Sequence, residues 1–239
     1  MCGFFEFDSK SAQAQALIRS LEIEEQSDLF QVNTGSGPAS FVDIVIGQQA
    51  GLQVVPAIWW LLLDQNLKPS HYTSFNTRSD KLDVRNSAGY LPYRSHRCIV
   101  PATAIVEGEG SKGKRRYHRI EPENTAFALG GLYREWWNRD TGEQMLSCSI
   151  ITLPPHLAWQ DIHSKSVPLF LPHDDKDIIA KWLDPLFSDV EEFRGLLTPT
   201  IRDTLKITPV DRPSTQIQTG ESFAIFSDAD HARSAGSTT

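Results

Sequence analysis

The sequence predicts an α+β fold, and three observations indicate this class. A stretch with helical periodicity lies near the N-terminus, and a long central region of short β-type runs follows it. Towards the C-terminus, helical stretches come before two late strands. The central runs are separated by Gly, Pro, Asn and Asp, which are the residues typical of turns. The sequence has no internal repeat, and we expect a single domain over residues 1–228.

Each element follows from its local pattern. The stretch SKSAQAQALIRSLEIEE has a serine N-cap and an apolar side, which together predict the first helix. Apolar runs between turn residues predict six central strands, in FVDIVIG, LQVVPAIWW, RCIVPATAIVE, RRYHRIE, TAFALGGLYREWW and MLSCSIITL. Helices are predicted in PPHLAWQDI, DDKDIIAKWLD and SDVEEFRGLL, and strands in KITPV and SFAIFS. The small polar residues 229–239 predict a disordered tail.

Composition and charge argue against several classes of protein. Three cysteines without Cys-x-x-Cys spacing, and without a secretory leader, favour the cytoplasm over disulfides or structural zinc. The longest apolar run, VVPAIWWLLL, is about half as long as a membrane helix needs, so we expect no membrane association. The net charge of −7 argues against a globally basic nucleic-acid binder but allows a local basic patch. We also expect a monomer without cofactor or metal.

Cys2 directly follows the initiator methionine in MCGFFEF. We expect Met1 to be removed because the next residue is small, which leaves an α-amine and a thiol on one residue. The amine titrates at about 8 and the thiol at about 8.5, so a nearby base makes either group nucleophilic. Such a 1,2-aminothiol closes on an aldehyde to give a five-membered thiazolidine, or attacks an amide through its sulfur. The alternative is a buried thiol in an N-terminal strand.

Three further stretches place polar residues where catalysis would use them. Asn76, Arg78 and Asp80 alternate in SFNTRSDKL, so an extended segment would put them on one face. Glu107 ends an apolar run before a glycine loop, a position that can raise a carboxyl pKa for acid–base work. His163 comes just before a predicted strand in DIHSKSVPLFLP. Each residue also has a structural interpretation, as a turn cap, a solvated strand end or a structural histidine.

A local basic segment stands out in this acidic chain. The stretch GSKGKRRYHR predicts a hairpin that carries Lys112, Lys114, Arg115, Arg116 and Arg119. Such a hairpin suits contact with a nucleic-acid backbone. The guanidinium of Arg78 is similarly suited to grip two phosphate oxygens at once. The alternative is a solvated hairpin without a ligand.

In this order, the stretches MCG, NTRSD, RCIVPATAIVE and DIH resemble the SRAP family, the SOS response-associated peptidases that process abasic sites. The resemblance extends from Cys2 to about Phe226. It implies an α+β fold built on a strongly curved, barrel-like, mostly antiparallel sheet with peripheral helices. It also implies a groove for single-stranded DNA in which Cys2 forms a covalent thiazolidine crosslink with the ring-opened aldehyde of an abasic site, in the DNA damage or SOS response.

The resemblance also implies individual roles. Cys2 would form the thiazolidine, Asn76 would hold the terminal amine or a sugar hydroxyl, and Glu107 would move protons. His163 would assist opening of the sugar ring and reversal of the crosslink. Trp59, in AIWWLLLD, would contact the DNA. The activity implied is that of an abasic-site crosslinking enzyme, with lyase-type and autopeptidase reactions as further options. The protein would be associated with the nucleoid when bound to damaged DNA.

The sequence departs from the family pattern at several places, and two rival functions stay open. Phe4 replaces the usual arginine, Asp80 the usual glutamate and Gly108 the usual tryptophan. Class II glutamine amidotransferases also begin Met-Cys-Gly, so an N-terminal-nucleophile amidohydrolase or peptidase is one rival; such enzymes need an oxyanion hole. A non-catalytic DNA-binding derivative of the family is the other.

Overall fold

Two β-sheets pack around one hydrophobic cluster, with short helices at their periphery. The computed structural model describes residues 3–111 and 113–231. The strands are β1 (Phe5–Phe7), β2 (Asn33–Ser36), β3 (Phe41–Gln48), β4 (Gly51–Ile58), β5 (Asn76–Arg78), β6 (Arg97–Ala102), β7 (Ala104–Glu109), β8 (Arg116–Pro122), β9 (Phe127–Trp137), β10 (Gln144–Leu153), β11 (Val167–Pro168), β12 (Leu205–Val210) and β13 (Phe223–Ile225). The α-helices are α1 (Ala12–Ser20), α2 (Pro92–Ser95) and α3 (Lys176–Leu183).

The larger sheet closes into a barrel. Its order is β11-β10-β4-β3-β6-β9, and β9 also pairs with β10, so that β3, β4, β10, β9 and β6 form a closed ring of five strands. Most of its ladders are antiparallel, whereas β10 runs parallel to β4 and β5. The α+β class and the curved, barrel-like sheet are therefore confirmed.

The smaller sheet carries the N-terminal strand in its interior. Its order is β13-β12-β8-β7-β1-β2, and β1 pairs antiparallel with β7 through Phe5 and Ile105. The ring of Phe5 packs edge-on against Trp59, with ring centroids 4.9 Å apart, which joins this sheet to the barrel. The apolar alternation of β1 thus has a packing purpose, because Phe5 and Phe7 both lie in the core.

The expectation that Trp59 contacts DNA is wrong. Trp59 is 0% exposed, and its Nε1–H donates to the carbonyl of Phe75 at 2.8 Å. Its ring also packs edge-on against Phe75. A side chain enclosed in this way has no face to offer a base, so Trp59 is a core residue.

Two of the four predicted helices begin at their expected caps, and the other two form 3₁₀ helices that are shorter than predicted. Ser11 caps α1 and Asp175 caps α3, each by accepting a backbone N–H. The stretches at 154–162 and 188–197 form 3₁₀ helices instead, at Leu157–Trp159 and Val190–Leu197. In the second stretch the buried residues Phe193 and Leu196 are three positions apart, which matches the three residues per turn of a 3₁₀ helix.

Arg97 ties the barrel to the end of α3. Its guanidinium is buried and donates to the carbonyls of Trp182, Asp184 and Phe187 at 2.7–2.8 Å, and of Tyr93 at 2.8 Å. Carbonyls at a helix C-terminus lack partners within the helix and carry partial negative charge, so a cation satisfies them well. The arginine that begins the RCIVPATAIVE stretch therefore serves the fold.

The C-terminal segment divides at residue 231. Residues 228–231 form a helical turn in which the backbone N–H of Asp230 donates to the Ser227 hydroxyl, so residues 229–231 are not part of a disordered tail. Residues 232–239 lie outside the described residues. Within the described part of the chain, no helix is long and apolar enough to cross a membrane.

Candidate active site

Glu107 lies near the end of β7 with its side chain in the core. It is 2% exposed, and it stands opposite His118 of β8, so both side chains project from the same face of the smaller sheet. Burial penalises the charged carboxylate and raises the pKa of Glu107 to about 7. A carboxyl group with such a pKa gives and takes protons near neutral pH, which is the property that general acid–base catalysis requires.

This raised pKa has a consequence for stability. Between the ordinary value of 4.5 and about 7, the folded protein binds a proton that the unfolded chain has released. The stability that neutral Glu107 contributes to the folded protein is therefore fully present below about pH 4.5. It is lost as the pH rises through about 7. The loss amounts to about 3 kcal/mol, at about 1.4 kcal/mol for each pKa unit.

We expect Glu107→Gln to remove this loss, because the amide stays neutral. The variant should gain stability relative to the wild type between pH 5 and pH 8, measured as the free energy of unfolding in urea at both values. Glu143→Gln, at an exposed site of the β9–β10 turn, is the matched control and should follow the wild type. Parallel pH dependence in wild type and Glu107→Gln would contradict the raised pKa.

His163 lies beside Glu107. Its Nδ1 is 4.0 Å from Oε2 of Glu107 and 3.1 Å from the carbonyl oxygen of Gly108. Because a carbonyl only accepts hydrogen bonds, Nδ1 carries the hydrogen and Nε2 of the neutral ring is left as an acceptor. Burial lowers the pKa of His163, so the ring is neutral at pH 7. The pair therefore combines a neutral imidazole with a carboxyl group that titrates near neutrality.

The segment that carries His163 is held by its own 3₁₀ helix on one side and by β7 on the other. Its 3₁₀ helix buries Trp159, whose carbonyl accepts the backbone N–H of His163 at 2.9 Å. On the other side, Oε2 of Glu109 accepts the backbone N–H of Ser164 at 2.7 Å. These contacts hold an irregular segment against the end of β7.

Asn76 and Arg78 lie on β5, which is added parallel to β10 outside the barrel ring. Between them, Thr77 points inward and its hydroxyl is 2.7 Å from that of Ser149. The expected shared face ends at Arg78, because residues 79–81 form a 3₁₀ turn rather than an extended segment. Asp80 nevertheless meets Arg78, whose Nε and Nη2 donate to the two carboxylate oxygens at 2.9 and 2.8 Å.

Two cavities adjoin β5, and the second of them reaches the His163 segment. One, of about 670 Å³, is lined by Asn76, Arg78 and Tyr72, among others. The second, of about 390 Å³, is lined by Arg78, Lys165 and Ser166. Arg78 belongs to both. Sequence reasoning missed Tyr72, which is 68% exposed; an aromatic residue among the polar residues of SHYT, four positions before Asn76, was the available signal.

The basic hairpin adjoins the end of β7. Lys114, Arg115 and Arg116 are exposed, and Gly110 adopts a φ of +113° in the turn, where a side chain would be strained. Lys112 lies outside the described residues. Arg119 does not belong to this exposed basic surface, because it forms ion pairs with Glu6 and Glu121.

Gly108 leaves room for a neighbouring aromatic ring. A Cβ at this position would come within 2.7 Å of the Tyr117 ring and 2.8 Å of Cδ of Arg115. Tyr117 of β8 thus occupies the space beside residue 108, where the family pattern has a tryptophan.

Cys2, the predicted nucleophile, lies outside the described residues. The chain nearest to it is held in the smaller sheet, since the carbonyl of Phe4 accepts the backbone N–H of Val106 at 2.9 Å. The other two cysteines, Cys98 and Cys148, are 0% exposed, and burial raises the pKa of both thiols. Neither is a reactive thiol, because nucleophilic cysteines need a low pKa and access.

Fold and site together define an α+β protein with a closed five-stranded barrel, a buried glutamate on an adjoining sheet and a half-buried histidine beside that glutamate. The chain belongs to the SRAP family: the family model described as SOS response associated peptidase matches residues 1–216.

Curated relatives and solved structures agree with this assignment. Over 137 residues the chain is 31% identical to the abasic site processing protein YoaM and 32% identical to the abasic site processing protein YobE, both of Bacillus subtilis (strain 168). Each alignment covers 56% of this chain, and they cover 58% and 60% of these relatives, less than two thirds of their length.

Crystal structures of proteins from Bacteroides thetaiotaomicron and Bordetella bronchiseptica share the fold, with TM-scores of 0.67 and 0.66 at 20% and 18% identity. These alignments cover 88% of this chain and 93% and 100% of the two structures.

Proposed function

We propose that this protein processes abasic sites in single-stranded DNA by capturing their aldehyde covalently at Cys2. The observation that carries the proposal is the buried carboxyl of Glu107, with its pKa of about 7, placed 4.0 Å from the neutral ring of His163. The names of the curated relatives, abasic site processing proteins, support the substrate class.

The reaction needs proton transfer at several steps. An abasic sugar is mostly a closed hemiacetal, so an acid–base pair must open it to the aldehyde. The α-amine of Cys2 then adds to the aldehyde carbon, and the carbinolamine loses water to give an imine once its hydroxyl is protonated. Finally the thiol adds to the imine carbon and its proton passes to the nitrogen. The product is a thiazolidine, and one water leaves. Glu107 suits the protonation of the leaving hydroxyl, and His163 suits ring opening and reversal.

Chain connectivity supports a role for Cys2 at this pair. The Phe4 carbonyl is bonded to the backbone of Val106, the residue before Glu107. Cys2 is two residues before Phe4, and each trans peptide advances the chain by about 3.8 Å between Cα atoms. Because only this short length of chain separates Cys2 from Phe4, we propose that the amine and thiol of Cys2 act beside Glu107. Asn76 would hold the amine or a sugar hydroxyl.

The DNA path follows the exposed cations. The chain as a whole is acidic, so phosphate contacts must come from local groups. Lys114, Arg115 and Arg116 are exposed at the end of β7, and Arg78 beside the Asn76 cavity would contact phosphate by exchanging the Asp80 carboxylate for it. Tyr72, which lines the same cavity as Asn76, contacts the DNA in place of Trp59 by stacking on a base. Lyase-type strand cleavage, autopeptidase removal of residues before Cys2 and a place in the SOS response extend the same proposal.

A denaturing gel tests the function. Purified protein is incubated with single-stranded DNA containing one abasic site, and with the same DNA containing a normal nucleotide. We expect a covalent protein–DNA species with the abasic DNA and none with the normal DNA. Binding to both DNAs without any covalent species would instead support a non-catalytic derivative, and release of ammonia from glutamine would support an amidohydrolase.

We expect the affinity for single-stranded DNA to fall steeply with salt, because each neutralised phosphate releases counterions. The double variant Arg115→Gln, Arg116→Gln should reduce the slope of log affinity against log salt by about 0.7 for each lost contact. Tyr72→Ala is the matched control: it should weaken binding by about 1–3 kcal/mol and leave the slope unchanged. Fluorescence anisotropy at several salt concentrations measures both quantities. An unchanged slope in the double variant would show that the hairpin is a solvated surface that does not contact phosphates.

A further inference from the structure

Glu109 is an acidic residue next to the site that the proposed reaction does not use. It lies two positions after Glu107 at the end of β7, and its side chain is 23% exposed. Oε2 of Glu109 accepts the backbone N–H of Ser164 at 2.7 Å and lies 3.8 Å from Nδ1 of His163. One carboxylate oxygen therefore contacts both the segment that carries His163 and the imidazole itself.

Together with its neighbour, Glu109 holds this segment at two points. Gly108 accepts from the His163 ring through its carbonyl oxygen, and Glu109 accepts from the next backbone N–H through its side chain. Segment 160–166 has no helix or strand of its own to fix it. A charge-assisted hydrogen bond to a backbone N–H is among the stronger hydrogen bonds available at a protein surface. Donation by Ser164 is also the main reason why the pKa of Glu109 is lowered, so the group is ionised at pH 7.

We propose that Glu109 is a positioning residue that anchors the His163 segment against Glu107 and stabilises the protonated form of His163 by its charge. The crosslinking measurement that tests this role rests on the proposed function, whereas the NMR titration of His163 does not. The anchor requires an acceptor oxygen at residue 109, and the electrostatic effect requires a negative charge there. Substitutions separate these two requirements.

The charged groups around His163 determine the sign of the effect. Glu107 and Glu109 face it from β7, Lys165 lies two positions later on its own segment, and His118 of β8 faces Glu107. Burial lowers the pKa of His163, and the charges of the N-terminus and of Lys165 act in the same direction, whereas the hydrogen bond to Gly108 and the charge of Glu109 raise this pKa. Removal of the Glu109 charge therefore lowers the pKa of His163 further.

Two variants and a control test the proposal. Glu109→Gln keeps an acceptor oxygen but loses the charge, and Glu109→Ala loses both. Glu143→Gln removes one negative charge at an exposed position of the β9–β10 turn. The imidazole of His163 is titrated by NMR in the full chain, with its signal assigned from a His163→Asn sample. Circular dichroism confirms that each variant is folded.

We expect the pKa of His163 to fall by about one unit in both Glu109 variants and to stay unchanged in Glu143→Gln. In crosslinking to abasic DNA, Glu109→Gln should match the wild type at pH 8, where the charge on His163 no longer matters. Glu109→Ala should be slower at every pH, by about 10-fold to 100-fold, because a displaced catalytic group loses its alignment.

Unchanged His163 titration in both variants would overturn the proposal, as would equal rates for Glu109→Ala and the wild type. A wild-type protein that captures no abasic DNA, but whose His163 pKa falls in the Glu109 variants, would contradict the proposed function and still support the positioning role.

Discussion

Replacement of Cys2 by alanine is expected to abolish covalent capture of abasic DNA, a loss of signal to background on a denaturing gel. The physical reason is that the thiol of Cys2 closes the thiazolidine ring. The two thiols that the structure describes, those of Cys98 and Cys148, are buried. Non-covalent affinity for single-stranded DNA should stay within a factor of about two, because the cations that carry binding are elsewhere. Native gel shifts on the same samples measure this second quantity.

Two controls make the Cys2 prediction specific. Cys2→Ser keeps the size and the terminal amine, so it should still form the reversible imine, which borohydride traps, but no stable thiazolidine. Cys98→Ala removes a buried thiol of raised pKa and should crosslink like the wild type. If the Cys2→Ala variant stayed active and crosslinking required Cys98 or Cys148 instead, the nucleophile would be misassigned.

The second large effect is expected for Glu107→Gln. The amide keeps the shape of the side chain and cannot move a proton, so crosslink formation should slow by about 100-fold or more, the usual scale for a general acid or base. The product itself should still form. Because the pKa of Glu107 is about 7, the wild-type rate should also change around pH 7, and this inflection should be absent from the variant. Single-turnover crosslinking from pH 5.5 to 8.5 measures both effects.

His163→Ala is the matched comparison for this rate. It leaves Glu107 in place, so its main effects should fall on ring opening and on release of the crosslink when competitor is added. Equal formation and release in Glu107→Gln, His163→Ala and wild type would leave both residues as structural elements.

Local patterns predicted the elements of this fold better than their arrangement. Alternation and turn residues located the central strands, and the caps at Ser11 and Asp175 were correct. The run RCIVPATAIVE, however, reads as one strand and forms two, β6 in the barrel and β7 in the smaller sheet, with a bend at Thr103. Both halves are apolar, so periodicity could not locate the bend. It is fixed by the N–H of Thr103, which donates to the carbonyl of Glu6.

The site was predictable in part for the same reason. Glu107 and His163 were selected from sequence, and the structure brings them together, although 56 positions separate them. Trp59 was misassigned because an aromatic residue in an apolar run has the same sequence pattern whether it is buried or contacts a ligand. Tyr72 and Glu109 were missed because their significance depends on a cavity and on a backbone N–H contributed by other parts of the chain.

The position of β1 inside the smaller sheet has a consequence for the order of events during synthesis. Phe5 pairs with Ile105, one hundred positions later in the chain, and the His163 segment is made later still. Contacts this distant in sequence form slowly, because a long loop must close before they become favourable. The N-terminal residues leave the ribosome first and find their partner strand late. If Cys2 is the nucleophile, as proposed, a newly made chain carries its thiol without the groups that direct it, and covalent capture of DNA requires that the whole domain has folded.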